Sequence, residues 1–413
     1  MSARPSPPST LAALRDAGAQ LVRRSQVTRV MLARVAGIVT PGMVPADARA
    51  QTVARLEAAV KEVCRPLAPD VVTSALRAAW GRGPERVLDD LDLEPLMVGP
   101  TAQVHRAVVQ GEPVVLEVLR PGLETAVRND LAVLEALGPP LRAAFPALDA
   151  AVLLGALRTM ALDELDLEHA GENQQRVARA LRRLPGVTAP AVDAELTRPE
   201  VLVAAHVEGT TLAEDLAASA GGTRAQALAM DRALLARRLV AVYAGLPRML
   251  GLVLVDPRAD QVLQGPDGTT VVRGAGAAVR VDRDRLDGGL DALQALREDD
   301  ASAFAAALGR LGLLPEQSAR AAHALLRELL GALLTGPVGL DAAMLADLAE
   351  RGRAAVGELA ALGARAAPVA EDLATGRMLV QLFALLARLE VTEDWTALVL
   401  TAGREGPHAL LAG

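Results

Sequence analysis

The stretch AQVHRAVVQGEPVVLEVLRPG, residues 102–122, decides how the rest of the chain is read. Val104 to Val109 and Pro113 to Leu119 are rich in β-branched residues, and Gln110-Gly111-Glu112 separates them, which predicts a β-hairpin. Working outward, Glu124 to Leu137 and then Leu148 to about Leu184 carry helical spacing. Two further strand candidates follow Pro185, at Val187 to Val192 and Val201 to Val207. Strands, helix and strands again predict a small mixed lobe over residues 94–207. Upstream, residues 1–10 are Pro/Ser-rich and read as a disordered start, and residues 11–93 read as a helical extension. Within that extension, Ala46 to Cys64 spaces Val53, Leu56, Val60 and Val63 by three and four. Downstream, residues 208–413 read as a helical lobe, with helices expected through Asp287 to Leu311, Pro315 to Leu334, Leu340 to Leu362 and Val369 to Leu389. The exception is residues 252–279, where Val262 to Gln264 and Thr269 to Val272 flank the turn sequence Pro266-Asp267-Gly268.

Composition narrows the function. With 413 residues, 51% of them hydrophobic, the chain can bury a large core. One cysteine, Cys64, rules out an internal disulfide, and five scattered histidines do not read as a metal cluster. Cys64 is expected on a helix as a small, partly buried residue. A net charge of -7 and 1% aromatic content argue against a nucleic-acid partner. Of 43 Lys plus Arg only Lys61 is a lysine, so chemistry that needs a mobile ammonium has one candidate. No run of about 18 apolar residues is present to span a membrane. Six arginines against Asp16 make residues 1–35 locally basic. A solvated helix face explains this more simply than contact with an anionic membrane.

Four segments, in order, resemble the AarF/UbiB family of atypical kinase-like proteins. Ala102 to Ala107, then Gly111, Val114 to Val118 and Arg120-Pro121-Gly122, resemble the family's small-residue loop and lysine-bearing strand. Glu164-Leu165-Asp166-Leu167 with Asn173 resembles its acidic helix motif, and Val201 to Val203 leading to Val207-Glu208-Gly209 its inter-lobe strand and hinge. Gly251 to Val255 with Asp256-Pro257 resembles its catalytic loop. The resemblance implies an α+β, two-lobed protein-kinase-like fold with a helical N-terminal extension, predominantly helical throughout. It also implies a link to isoprenoid-quinone or related lipid metabolism.

A kinase site works by placing charge: a strand lysine holds phosphates, a helix glutamate orients it, and acids hold magnesium. By the resemblance, Glu117 stands in the lysine position, where a carboxylate repels phosphate, and Ala170 stands where the orienting glutamate belongs. Asp256 is retained as the catalytic-loop acid, but Gln261 replaces the metal-binding asparagine. Gly274-Ala275-Gly276 replaces Asp-Phe-Gly, and Leu32-Ala33-Arg34-Val35 replaces the extension's lysine-x-glycine-glutamine. Gly99 and Ala102 are the loop residues placed to approach a nucleotide, although one glycine between strands also fits an ordinary turn. Glu164 and Asp166 fit magnesium coordination or helix capping equally well. His105 reads as packed or as making one satisfied hydrogen bond, and Glu117 as the partner of a neighbouring arginine that stabilises an empty cleft.

The expectation is a pseudokinase with a regulatory or accessory role, cytoplasmic, at most peripheral to a membrane through its basic N-terminal helix. It needs no cofactor or metal and has an unidentified protein or lipid partner. Two alternatives stand beside it. One is an unconventional ATPase or kinase that uses Asp256, Glu164 and Asp166 with Mg-ATP. The other is a lipid- or partner-binding helical module whose cleft is vestigial.

Overall fold

The computed structural model describes residues 64–136, 155, 158, 162, 165–220, 231–363 and 365–411. The disordered start, the Ala46 helix, the basic segment, Lys61, residues 32–35 and Glu164 lie outside the described residues.

The first helix, α1, runs Pro69–Trp80 with proline in its first turn, where the missing N–H costs nothing. Cys64 precedes it in irregular backbone rather than on a helix. Pro66 and Pro69 disfavour helix in the residues before them.

Five strands form the small lobe's sheet: β1 (Asp90–Leu91), β2 (Met97–Val98), β3 (Ala102–Val109), β4 (Glu112–Leu119) and β6 (Val201–Ala205). Both β1 and β2 pair with β3, then β4 and β6 follow, all antiparallel. The sheet therefore begins before residue 94, inside the stretch read as helical extension. The predicted hairpin is β3–β4, closed by Gln110 and Gly111 at φ 53 and 80. Two successive left-handed residues match the right-handed twist of the strands they join.

Strand alternation divides the sheet's faces. Leu116, Val118, Val201 and Val203 meet Val72 and Leu76 of α1. The opposite face presents Leu119, Leu202 and Ala204 to α2 (Leu123–Ala136) and to Leu165 and Leu167. Glu117, between Leu116 and Val118, is thereby forced onto this second face.

The long helix expected from residue 148 to 184 is interrupted. Leu165 sits in a turn, and Asp166 caps α3 (Leu167–Leu181) by accepting from His169 N at 3.0 Å. The next strand candidate shortens to β5 (Val187–Thr188), which pairs in parallel with Thr270 and Val271 of the large lobe, while Val192 makes a single bridge to Ala204.

After β6 the chain crosses at Gly209, φ 159, where a Cβ would lie 2.6 Å from Gln264 O. Beyond it come β7 (Thr210–Thr211) and α4 (Leu212–Ala220). The large lobe is built around α5 (Arg232–Leu250), whose residues from Leu239 to Pro247 are buried without interruption, as a helix segment in a core must be. After it come β8 (Leu252–Leu254), β9 (Val262–Gln264), β10 (Thr270–Val272) and β11 (Ala278–Arg280). β8 pairs with β11, and β9 with both β10 and β7.

Three of the later helix predictions prove to be divided into shorter elements. Residues 287–311 divide into α6 (Arg283–Glu298) and α7 (Ala301–Arg310), because Asp299 turns left-handed (φ 61) and Asp300 caps the second helix. Gly331, φ 47, separates α8 (Glu316–Leu330) from α9 (Ala332–Thr335). Residues 340–362 hold the end of β12 (Val338–Leu340), then α10 (Ala342–Ala354) capped by Asp341, then α11 (Val356–Gly363). The helix expected over Val369 to Leu389 is α12 (Ala370–Ala387), followed by β13 (Val391–Glu393) and α13 (Trp395–Glu405).

Candidate functional site

Between the sheet's second face, α3 and the two loops after β8 and β10 lies a cleft of about 120 Å³. Gly99, Ala102, Glu117, Ala170, Asp256, Gln261 and Gly274, far apart in sequence, all line it. Asp166 is not among the lining residues, and its Oδ1 accepts the helix-cap bond from His169 N.

The small lobe forms one wall. Glu117 lies between its cross-strand neighbours Val104 and Leu202, both of which also line the cleft. The loop above is tied down: Gly99 N donates to Ala102 O at 2.8 Å, and the Arg120 guanidinium donates to Gly99 O and to Arg65 O. Behind the sheet, His105 is wholly buried, with Nδ1 2.9 Å from Asp92 O. A carbonyl only accepts, so Nδ1 holds the proton and Nε2 accepts from Gln103 Nε2 at 2.7 Å. Its ring nitrogens are satisfied, and it takes no part in the cleft.

The opposite wall is an ion network. Arg258 Nε donates to Asp260 Oδ1 at 2.9 Å, and its Nη1 lies 3.3 Å from Asp256 Oδ2. Arg377, on α12, approaches Asp256 Oδ1 at 3.6 Å. The Gln381 amide, in the orientation its surroundings require, donates to Val255 O at 2.9 Å and accepts from Arg377 Nε at 3.2 Å. Arg273 Nη2 donates to Asp260 O at 2.6 Å. Burial pushes the Asp260 carboxyl up, but the hydrogen bond and charge of Arg258, a backbone N–H and the charge of Arg273 outweigh it. The net result holds the carboxyl below its usual range. Burial lowers the Arg273 guanidinium against the opposing pull of Asp260, Glu117 and Glu214. Beneath the loop, Tyr243 on α5 is pushed well above the ordinary phenol range by burial, then by the charges of Asp256 and Asp260.

The positions that stand in for metal and phosphate ligands touch one another. A Cβ on Gly276 would lie 2.6 Å from Ala170 Cβ, and Asn173 Nδ2 donates to Gly276 O at 3.3 Å. A Cβ on Gly274 would lie 3.0 Å from Gln261 Oε1. Helix α3 and the 274–276 loop have closed on each other where a kinase keeps its orienting acid and its metal aspartate. Among the described residues no group of three or more His, Cys, Asp or Glu is placed to hold a metal ion. Chemically, Asp256 is a carboxylate facing two guanidiniums, and Glu117 brings a negative charge to the opposite, small-lobe wall of the cleft.

Sequence reasoning missed Arg258, Asp260, Arg273 and Arg377. The first two lie within four residues of Asp256 and were readable as a charged loop, whereas Arg377 carries no local signal.

A five-stranded antiparallel sheet with a packed helix, joined to a helical lobe by a cleft that gathers these positions, defines a protein-kinase-like fold. The family model for the ABC1 atypical kinase-like domain matches residues 59–308, more than half of the chain. The chain therefore belongs to that family, the one in which UbiB and AarF proteins fall. A Pseudomonas paraeruginosa protein named "Probable protein kinase UbiB" is 30% identical over 148 residues, 35% of this chain and 28% of that one. "AarF domain-containing protein kinase 1" of Xenopus tropicalis is 29% identical over 147 residues, again 35% of this chain and 28% of the relative. The chain thus spans under a third of these relatives' length. Among solved structures, the Mycobacterium tuberculosis chain of the Rv3197–erythromycin complex aligns over 98% of this chain and 100% of its own, with a TM-score of 0.62 and 20% identity, which shows the shared fold. No helix among the described residues is long and apolar enough to cross a membrane.

Proposed function

We propose that this chain is a pseudokinase: a kinase-like protein without phosphoryl transfer that acts as a regulatory or accessory partner. The observation that carries the reading is the state of Asp256, held between Arg258 and Arg377 in a cleft whose other nucleotide-handling positions are Glu117, Ala170, Gln261 and Gly274. General-base work needs a carboxylate open to the substrate hydroxyl, and magnesium needs oxygen ligands in number. Cleft size supports the same reading, since drug-sized ligands occupy roughly 300–1,000 Å³. We further propose a role in isoprenoid-quinone or related lipid metabolism, supported by family membership, in the cytoplasm, with peripheral membrane contact and an unidentified protein or lipid partner.

The test is thermal melting of the full chain with ATP, with and without magnesium, alongside an ATP-hydrolysis assay. No shift and no hydrolysis are expected. A magnesium-dependent rise in melting temperature, with hydrolysis abolished by Asp256→Ala, overturns the reading in favour of an unconventional ATPase. Retention of the chain on liposomes or prenyl lipids, with nucleotide still silent, supports a lipid partner.

A further inference from the structure

In a nucleotide-loaded kinase, alternating charge joins the lobes: lysine on the strand, phosphates, metal, then acids on the loop. Here the strand's charge is reversed, and the facing loops carry arginines beside their acids. The strand contributes the carboxylate of Glu117, and the facing loops contribute the guanidiniums of Arg258 and Arg273. We propose that Glu117 with Arg258 and Arg273 forms a charge-swapped bridge that holds the two lobes together with no nucleotide between them. The inference rests on the cleft being a former nucleotide site, but concerns what now replaces the ligand.

Three observations support it. First, Glu117 is held on the cleft face by strand alternation, and its cross-strand neighbours there, Val104 and Leu202, are apolar. The cation lining the same cleft is Arg258, and the Glu117 charge also reaches Arg273, whose basicity it raises. Second, Arg273 is held in place: its N donates to Gln261 O at 2.7 Å and its Nη2 to Asp260 O at 2.6 Å. Its Nε is buried with no hydrogen-bond partner, so the guanidinium is not bonded at every donor by its own loop. Third, the charges alternate onward. Asp260 binds Arg258, Arg258 reaches Asp256, Asp256 faces Arg377, and Arg377 is seated on Gln381 of α12. The bridge is therefore anchored to the core of the large lobe, through a helix beyond the segment that the family model matches.

Guanidinium suits this role. It stays charged when partly buried and presents several donors in a fixed fork, so one arginine can serve a carboxylate on each side.

The experiment is a double-mutant cycle on the full chain with Glu117→Gln and Arg273→Gln, read by melting temperature and by hydrogen exchange of residues 99–104 and 273–277. Each single change is expected to lower the midpoint and speed exchange on both walls, and the pair to lower it by less than the sum. Glu117→Lys, which restores the family's residue type, is expected to destabilise more than Glu117→Gln, because it faces Arg258 and Arg273 with a like charge. Additive singles, or a Glu117→Lys variant as stable and as protected as wild type, overturn the bridge. A magnesium-ATP shift in the wild-type chain would instead refute the pseudokinase reading, so the two failures are distinguishable.

Discussion

Gly276→Ala tests whether the contact between α3 and the 274–276 loop is as tight as the geometry requires. The added methyl would sit 2.6 Å from Ala170 Cβ, 2.7 Å from Ala170 O and 2.9 Å from Ala170 Cα, against about 3.5–4.0 Å for relaxed carbon contacts. All three atoms belong to the helix backbone or its first side-chain atom, so no rotamer change relieves them. The helix cannot retreat easily, since Val177 and Leu181 are wholly buried in the main core and Leu167 is buried in the small lobe's core. The loop is equally held, by Ala275 at 1% exposure and by Val255 N donating to Ala277 O at 3.0 Å. Overpacking of this kind costs about 1–3 kcal/mol, and separation of Asn173 from Gly276 O leaves a buried amide unsatisfied for about 1–3 more. The expected loss is roughly 2–5 kcal/mol in urea unfolding followed by the fluorescence of Trp80 and Trp395. Gly376→Ala is the control: exposed on α12 with nothing within 4 Å, it should gain about 1 kcal/mol. Ala170→Gly should rescue only in part, because the carbonyl contact remains and the helix loses about 1 kcal/mol. A Gly276→Ala variant within about 0.5 kcal/mol of wild type would refute the closure and leave room for the orienting acid.

Arg258→Met should cost about 3–5 kcal/mol by the same measurement, because Asp256 and Asp260 lose their shared guanidinium while partly buried. Tyr243, the only tyrosine in the chain, gives a clean absorbance titration. Its folded pKa is raised, so its contribution to stability is complete below the unfolded value near ~10 and is lost as pH rises above it. No phenolate should form before unfolding, and Asp256→Asn should allow ionisation at lower pH. Asp394 caps α13 through Ala397 N and forks onto Arg297, whose hydrogen bond does most to hold its carboxyl below the usual range. Its contribution is present above the unfolded carboxylate pKa and fades as pH falls through the lower folded value. Asp394→Ala should cost about 1–2 kcal/mol near neutral pH and progressively less in acid.

The hairpin was legible because turn residues and β-branched runs are local signals, and the co-location of Glu117 with Asp256 because motif order implies a shared cleft. Helix breaks were less legible. Apolar spacing runs on through Asp299-Asp300 and through Gly331, so periodicity alone joined helices that an aspartate cap and a left-handed glycine divide. Asp300 and Asp341 are cap residue types that could have been read as starts. The ion network was only half legible. Arg258 and Asp260 sit beside Asp256, but Arg377 reaches it only because α12 packs under the catalytic loop, a tertiary fact without sequence periodicity. Asp166, read as capping or metal-binding, does cap its helix, its Oδ1 accepting from His169 N.

Taken one at a time, the replaced positions look like independent losses, but the geometry couples them in contacting groups. Gly276 is small where Ala170 presses on it, so a glutamate at 170 would have to pass the loop that now fills its place. Gly274 adopts φ 65 with the Gln261 side chain against it, so an aspartate there would meet an unfavourable backbone and a displaced amide. Glu117 shares the cleft with Arg258, and a lysine in its place would bring a like charge there. At Ala170 with Gly276 and at Gln261 with Gly274 each residue is packed against the other, so enlarging one alone should cost stability. The retained Asp256 fits the same logic. Its carboxylate lies 3.3 Å from Arg258 and 3.6 Å from Arg377, so it is part of an ion network that removing either guanidinium should weaken.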